Sequence, residues 1–148
     1  MAIARGAGTE IIRSVTHKNL HTETPLIIGV QHHIYTVLSV IVYSHVQNSS
    51  ASRVYLFHVG YDSFGGVSGA EHRIFQQAIP AGETFVWNDK FSFNGTEPTD
   101  YTEPLSTIAE QDLIADQATA TSQQLKILST HASDDIEVIC TFIDQNNE

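Results

Sequence analysis

Apolar and polar residues alternate in short runs along most of the chain, and clusters of turn-forming residues separate the runs. Alternation with a period of two is typical of a β-strand that places one face on a core. The pattern predicts an all-β protein: a single-domain antiparallel β-sandwich or jelly roll of about eight strands. The clearest strands are EIIRSVTHK (10–18), the stretch 34–46, RVYLFHVGY (53–61), QQLKILSTHA (123–132) and IEVICTFID (136–144).

The stretch QHHIYTVLSVIVYSHV (31–46) carries apolar residues on both parities. Such a run predicts a central strand that is buried on both sides, or nearly so. The polar cluster QNSSAS (47–52) follows it, so residues 53–61 are predicted to return as the second strand of a hairpin. A second hairpin is predicted at SDD (133–135), between the last two strands.

Other turn signals divide the middle of the chain. AIPAGE (78–83) predicts a tight turn in which Gly82 takes a positive φ, and NDK (88–90) predicts a bend within the next strand. The segment 107–117 is the one helix candidate, of one or two turns at most, with capping-box spacing from Thr107. The predicted organisation is an N-terminal arm (1–9), a sandwich domain (10–144) and a polar tail (145–148).

Length and composition exclude several classes of protein. A chain of 148 residues with 41% apolar residues can bury a core without disulfides. Its one cysteine, Cys140, excludes an internal disulfide and lies on the apolar side of a predicted strand, which indicates a buried, inert thiol. No apolar run approaches the length of a membrane span. We therefore expect a soluble protein that is made in a cytoplasm and has no membrane partner.

The net charge of −10 is unevenly distributed. Residues 1–80 hold five basic and four acidic residues, whereas residues 81–148 hold two basic and thirteen acidic ones. An acidic surface repels phosphate, so nucleic acid is excluded as a partner. The excess of acids predicts solubility, and the alternative interpretation is electrostatic docking onto a basic protein.

The histidines do not have the spacing of a metal site. His32 and His33 are neighbours and point to opposite faces of a strand, and about 40 Å of straight strand would separate His33 from His45. Asp134 and Asp135 lie between two strands, where such residues form turns. No nucleophile elbow is present. The sequence predicts no catalytic residue, no metal and no cofactor, and hence a protein that is not an enzyme.

An ordered set of segments resembles the small β-sandwich virion proteins of tailed bacteriophages. The segments are EIIRSVTHK, TPLIIG, YTVLSVIVYSH, QNSSASRVYLF, AIPAGETFVWNDKFSF and LKILSTHASDDIEVICTFID, which together cover most of residues 10–144. Two features depart from the family pattern. Residues 110–113 lack the glycine that often precedes the last strand pair, and the segment 94–122 is longer than the pattern needs.

The resemblance implies a virion structural protein, most specifically a capsid cement or decoration subunit that acts as a homo-oligomer, often a trimer. Its implied partners are further copies of itself and the major capsid protein or other virion proteins. A tail or neck component, a carbohydrate-binding receptor-recognition module and a cupin-like metalloenzyme are the alternatives. The predicted partner contacts are Ile3, Arg5, Arg13, Trp87, Tyr101 and Asp112, and the loop 97–116 is a further candidate.

Overall fold

The computed structural model of the chain describes residues 9–62, 65–97, 107–108 and 121–146. These residues form nine β-strands. The strands are β1 (Thr9–Leu20), β2 (Thr24–Ile28), β3 (His33–Val46), β4 (Val54–Val59), β5 (Glu71–Gln77), β6 (Thr84–Trp87), β7 (Phe91–Asn94), β8 (Gln124–Ser129) and β9 (Asp135–Asn146).

The strands form two antiparallel sheets in a sandwich. Sheet A has the order β1-β9-β3-β6, with β7 also pairing with β3, and sheet B has the order β2-β8-β4-β5. The pairing is nested, because the first strand pairs with the last, the second with the one before it, and β4 with β5. Nested pairing across two sheets is the arrangement of a jelly roll. The strand number of about eight is confirmed, because β6 and β7 share one edge of β3.

Both predicted hairpins are wrong. β3 and β4 follow each other in sequence but belong to different sheets, and so do β8 and β9. The polar residues between them do reverse the chain, as expected. A cluster of turn residues does not reveal whether the returning strand pairs with its predecessor or crosses to the facing sheet.

The interpretation of β3 as buried on both sides is also wrong, and a β-bulge explains it. The register of β3 against β9 shifts between Val37 and Ser39. One extra residue, Leu38, changes the parity of every side chain that follows it. Tyr35 lies on the core side before the bulge and Val42 lies there after it. One buried face thus appears in the sequence as two.

The core lies between the sheets and is made chiefly of aliphatic side chains. Val37, Val40, Leu125 and Ile127 are fully buried within it. Cys140 is also fully buried, and burial raises the pKa of its thiol to about 12. The prediction of a buried, inert thiol is confirmed, because a thiol with so high a pKa holds almost no thiolate at neutral pH.

A buried carboxylate joins two connections that cross between the sheets. Asp134 is 3% exposed and accepts hydrogen bonds from the Asn48 backbone N–H at 2.7 Å, the Ser129 hydroxyl at 2.6 Å and the His131 backbone N–H at 3.1 Å. Burial acts to raise the pKa of Asp134, but these bonds and one from Ser52 outweigh it and lower the pKa. The residue predicted as ordinary turn chemistry therefore links the β3–β4 and β8–β9 connections.

The boundaries of the sandwich differ slightly from the predicted ones. β1 begins at Thr9, within the predicted arm, and β9 continues through Asn146, within the predicted tail. Gly82 has a φ of 85°, which confirms the turn predicted at 78–83. The helix candidate 107–117 lies outside the described residues except for its first two. In the described part of the chain, no helix is long and apolar enough to cross a membrane.

Candidate functional site: the outer face of sheet A

The register of sheet A determines which side chains point away from the core. Residues opposite each other in an antiparallel pair lie on the same side of the sheet. Buried Val138, Cys140 and Phe142 mark the inner side of β9, so the residues between them lie on the outer side. Three rows of outward residues cross the sheet: Thr16–Ile139–Ile41–Val86, Ser14–Thr141–Ser39 and Ile12–Ile143–Thr36–Ser92. We call these eleven residues the outer face.

None of the eleven residues of the outer face is charged, although the protein carries a net charge of −10. The apolar members include Ile12, Val86 and Ile139, which are 70%, 52% and 41% exposed. Charged side chains flank the face at both ends. Glu10 lies next to the row that contains Ile12, and the ion pair of Lys18 with Glu137, 3.7 Å long, lies next to the row that contains Thr16. An exposed apolar patch with a polar rim is typical of a binding surface.

The outer side of sheet B has a different character. It carries Glu71, Arg73 and Lys126 on its strands. Lys126 Nζ lies 2.6 Å from Glu23 Oε1, and the Arg73 guanidinium lies 4.4 Å from the centre of the Tyr55 ring. These charged side chains distinguish the outer side of sheet B from the outer face of sheet A. The absence of charge on the outer face is therefore specific to one side of the molecule.

The outer face is chemically suited to being covered. Eight of its eleven residues are Ile, Val or Thr, whose χ1 angles are already restricted, so little side-chain entropy is lost on binding. Hydroxyl groups bond each other across strands, Ser14 with Thr141 at 3.2 Å and Thr36 with Ser92 at 2.9 Å. A hydroxyl group that keeps its hydrogen-bond partner has a lower free-energy cost of desolvation when another surface covers it. From strand spacing the face measures about 400 Å².

The structure places two of the six predicted contact residues. Arg13 points to the inner side, where its Nε lies 2.9 Å from Asp144 Oδ2. Trp87 lies opposite buried Val40, and its ring meets Phe91 edge to face with centroids 5.3 Å apart. Neither side chain belongs to the outer face. The other four, Ile3, Arg5, Tyr101 and Asp112, lie outside the described residues.

The histidines at the ends of β3 have separate environments. His32 lies in a turn with a φ of 67°, and His45 is exposed. His33 Nδ1 lies 2.5 Å from Asp144 Oδ1, so the carboxylate connects β1, β3 and β9. In residues 9–62, 65–97, 107–108 and 121–146, no group of His, Cys, Asp or Glu is placed to hold a metal ion.

A cleft of about 290 Å³ is a second feature that the sequence did not indicate. His58 and His72 lie opposite each other in β4 and β5 and line it, together with Asn94 and Gln123. His58 Nε2 is buried and has no hydrogen-bond partner among the described residues. Burial, and then the charge of His72, lower the pKa of His58. The imidazole is therefore neutral at pH 7, packed 4.7 Å from the Phe93 ring centre.

Sequence reasoning missed the outer face because the bulge in β3 mixed its two sides. A signal was present in β9, where Ile139, Thr141 and Ile143 alternate with the buried residues and carry no charge. The neighbouring strand β1 repeats the pattern with Ile12, Ser14 and Thr16. Only the register shows that the two short patterns lie side by side.

Comparison with known proteins assigns no function to the outer face. No family model matches the chain, and no curated protein matches it. A solved structure of Bacillus endospore appendages, described as a family of disulfide-linked pili, aligns over 100% of this chain and 97% of its own. The identity is 14% and the TM-score is 0.44.

Proposed function

We propose that the protein is a non-enzymatic structural subunit of a phage particle, a capsid cement or decoration protein that binds the assembled coat through the outer face. The observation that carries the proposal is an uncharged surface, rich in β-branched residues, on an otherwise acidic molecule. Such a surface supports adhesion and offers no group that would make or break a bond. The resemblance of its segments to virion proteins is the reason for proposing a phage particle as the partner.

Charge and area together explain how such a subunit would act. The acidic remainder of the molecule repels other copies in solution, and the uncharged face is where this repulsion is weakest. An area of about 400 Å² is half of what a stable interface buries on each partner, so one contact alone is weak. Many contacts on one particle engage together and raise avidity. Because the subunit binds only the assembled coat, it stabilises that state by mass action.

The direct test places a charge in the middle of the outer face. Ile139→Lys is expected to weaken binding to particles that lack the protein by about tenfold or more, because the ammonium would be buried without a partner. Gln124→Lys is the matched control, since it adds the same charge on the outer side of sheet B. Co-sedimentation with particles measures binding, and thermal unfolding verifies that both variants fold. Equal binding of the two variants would exclude the outer face as the contact.

Copy number separates the cement role from a tail or neck role. A cement subunit follows the symmetry of the shell and is present in hundreds of copies, whereas a ring in the tail or neck holds about a dozen or fewer. Quantitative mass spectrometry of purified particles measures this number directly. A count of about a dozen copies would indicate a tail or neck component that binds by the same adhesive mechanism. Absence of the chain from particles would reject the proposed function.

A further inference from the structure

One edge of sheet A has no neighbouring strand among the described residues. β1 lies at the end of the sheet and pairs only with β9. From Thr9 to His17 the pairing runs without a register shift, over nine consecutive residues. This segment contains no proline and no glycine. It is therefore a long, regular strand whose second edge can accept another strand.

The other sheet edges carry the features that prevent such pairing. β2 has only five residues, includes Pro25 and changes register after it. β6 and β7 have four residues each and are separated by the polar residues 88–90. β5 has the polar sequence EHRIFQQ, and its register with β4 is interrupted. In β1 the register shift comes only after His17, so residues 9–17 form the longest uninterrupted edge among the described strands.

Two exposed isoleucines indicate how the edge is covered. Ile11 is 47% exposed and lies opposite Asp144 on the inner side, whereas Ile12 is 70% exposed and lies opposite Ile143 on the outer side. A partner that docked on the outer face would cover Ile12 but not Ile11. A strand added at the edge contacts both, because side chains of an added strand also alternate between the two sides.

We propose that β1 of two copies of this protein pair antiparallel about a two-fold axis at Ser14, which joins the two A sheets into one. Two registers pair nine residues of each copy: residues 9–17 when the axis is at Arg13, and residues 10–18, one position past the regular segment, when it is at Ser14. The register centred on Arg13 places two guanidinium groups opposite each other. The register centred on Ser14 instead places Glu10 opposite Lys18 of the second copy, twice per pair. Residues 9–20 hold two basic and one acidic residue, so this edge avoids the acidity of the whole chain.

The dimer formed through β1 extends the proposed function, and its role in binding the coat rests on that function. A two-fold axis perpendicular to the sheet leaves both outer faces on the same side. The joined surface then measures about 800 Å², which is the area that a standard interface buries on each partner. The two-copy unit would thus present to the coat a surface large enough for stable binding. Self-association itself needs no particle, so it can fail or succeed independently of coat binding.

Charge exchange tests the pairing and its register. Glu10→Lys and Lys18→Glu each replace two attractive pairs by two repulsive ones, which should weaken the dimer about tenfold or more. The double variant restores opposite charges and should regain the wild-type dissociation constant. Light scattering after size exclusion gives the mass, expected at twice that of the 16.3 kDa chain. A monomer or a trimer at all concentrations, or no rescue by the double variant, would overturn the proposal.

Cysteine substitution tests the position of the axis. Ser14→Cys places two thiols opposite each other across the axis, close enough for a disulfide between copies under mild oxidation. Ile12→Cys is the matched control, because its counterpart lies four residues away along the second strand, about 13 Å or more. Cys140 is buried and does not compete. Cross-linking of Ile12→Cys in place of Ser14→Cys would refute the register.

Discussion

Asp134→Asn provides the sharpest test of how the sandwich is held together. One carboxylate oxygen of Asp134 accepts the Asn48 N–H, and the other accepts the His131 N–H and the Ser129 hydroxyl. An amide has only one acceptor oxygen, so either orientation directs its NH₂ group at a backbone N–H. The variant therefore leaves one buried donor unpaired, and its remaining hydrogen bonds lose their charge assistance.

The expected cost is about 3 kcal/mol, because an unsatisfied buried donor costs about 1–3 kcal/mol and bonds to a charged acceptor are stronger than neutral ones. That is a large part of the 5–15 kcal/mol typical of a domain. Urea unfolding at pH 7 should show a lower midpoint with an unchanged slope. Asp89→Asn, which changes an exposed loop residue in the same way, should have no measurable effect.

The pH dependence of this difference provides an independent check. The pKa of Asp134 is lowered in the folded state, so its contribution to stability is present above the unfolded value of 3.8. That contribution is lost as the pH falls through the folded pKa. The gap in unfolding free energy between wild type and Asp134→Asn should therefore narrow below about pH 4. A gap of less than about 0.5 kcal/mol at pH 7, or one that stays constant down to pH 3, would refute the reasoning.

Three further changes have defined outcomes. Asp144→Ala removes the carboxylate shared by Arg13 and His33 and should lower the unfolding free energy by about 1–2 kcal/mol in urea titrations, because water can replace the lost partner of the half-exposed Arg13; a change within error would mean that solvent screens the pair. His58→Phe should reduce the stability lost between pH 7 and 5, because the lowered pKa of His58 means that the unfolded state binds its proton first as the pH falls below 6.5; an unchanged pH profile would contradict this. Leu125→Ala opens a cavity at a fully buried position and should cost about 3 kcal/mol by calorimetry, a loss that a surface position would not show.

The sequence sufficed for the fold class because alternation is a local property. The strands and their turns were visible in stretches such as 136–144, where the residues that alternate with Ile136 face the solvent. Pairing was not visible, because it depends on which sheet a strand joins after each turn. The residues between β3 and β4 have the same composition whether they close a hairpin or cross the sandwich.

The candidate surface was harder to predict for a related reason. Its rows join residues more than a hundred positions apart, such as Ile12 and Ile143. The bulge at Leu38 also reverses the alternation along β3. A strict two-residue alternation therefore assigns outward-facing and core residues of β3 to the same face. Asp134 was recognisable as a turn residue, but its burial and its bond to Asn48 required the fold.

The position of β9 has a consequence for biosynthesis. This strand lies between β1 and β3, yet the ribosome makes it after every other described strand. Sheet A therefore cannot be completed before β9 has been synthesised, since β9 is the strand with which β1 pairs. Contacts between residues so distant in sequence also slow folding, because a long loop must close before they form. A nascent chain that lacks β9 would thus leave β1 and one edge of β3 unpaired, however much of the chain had already been made.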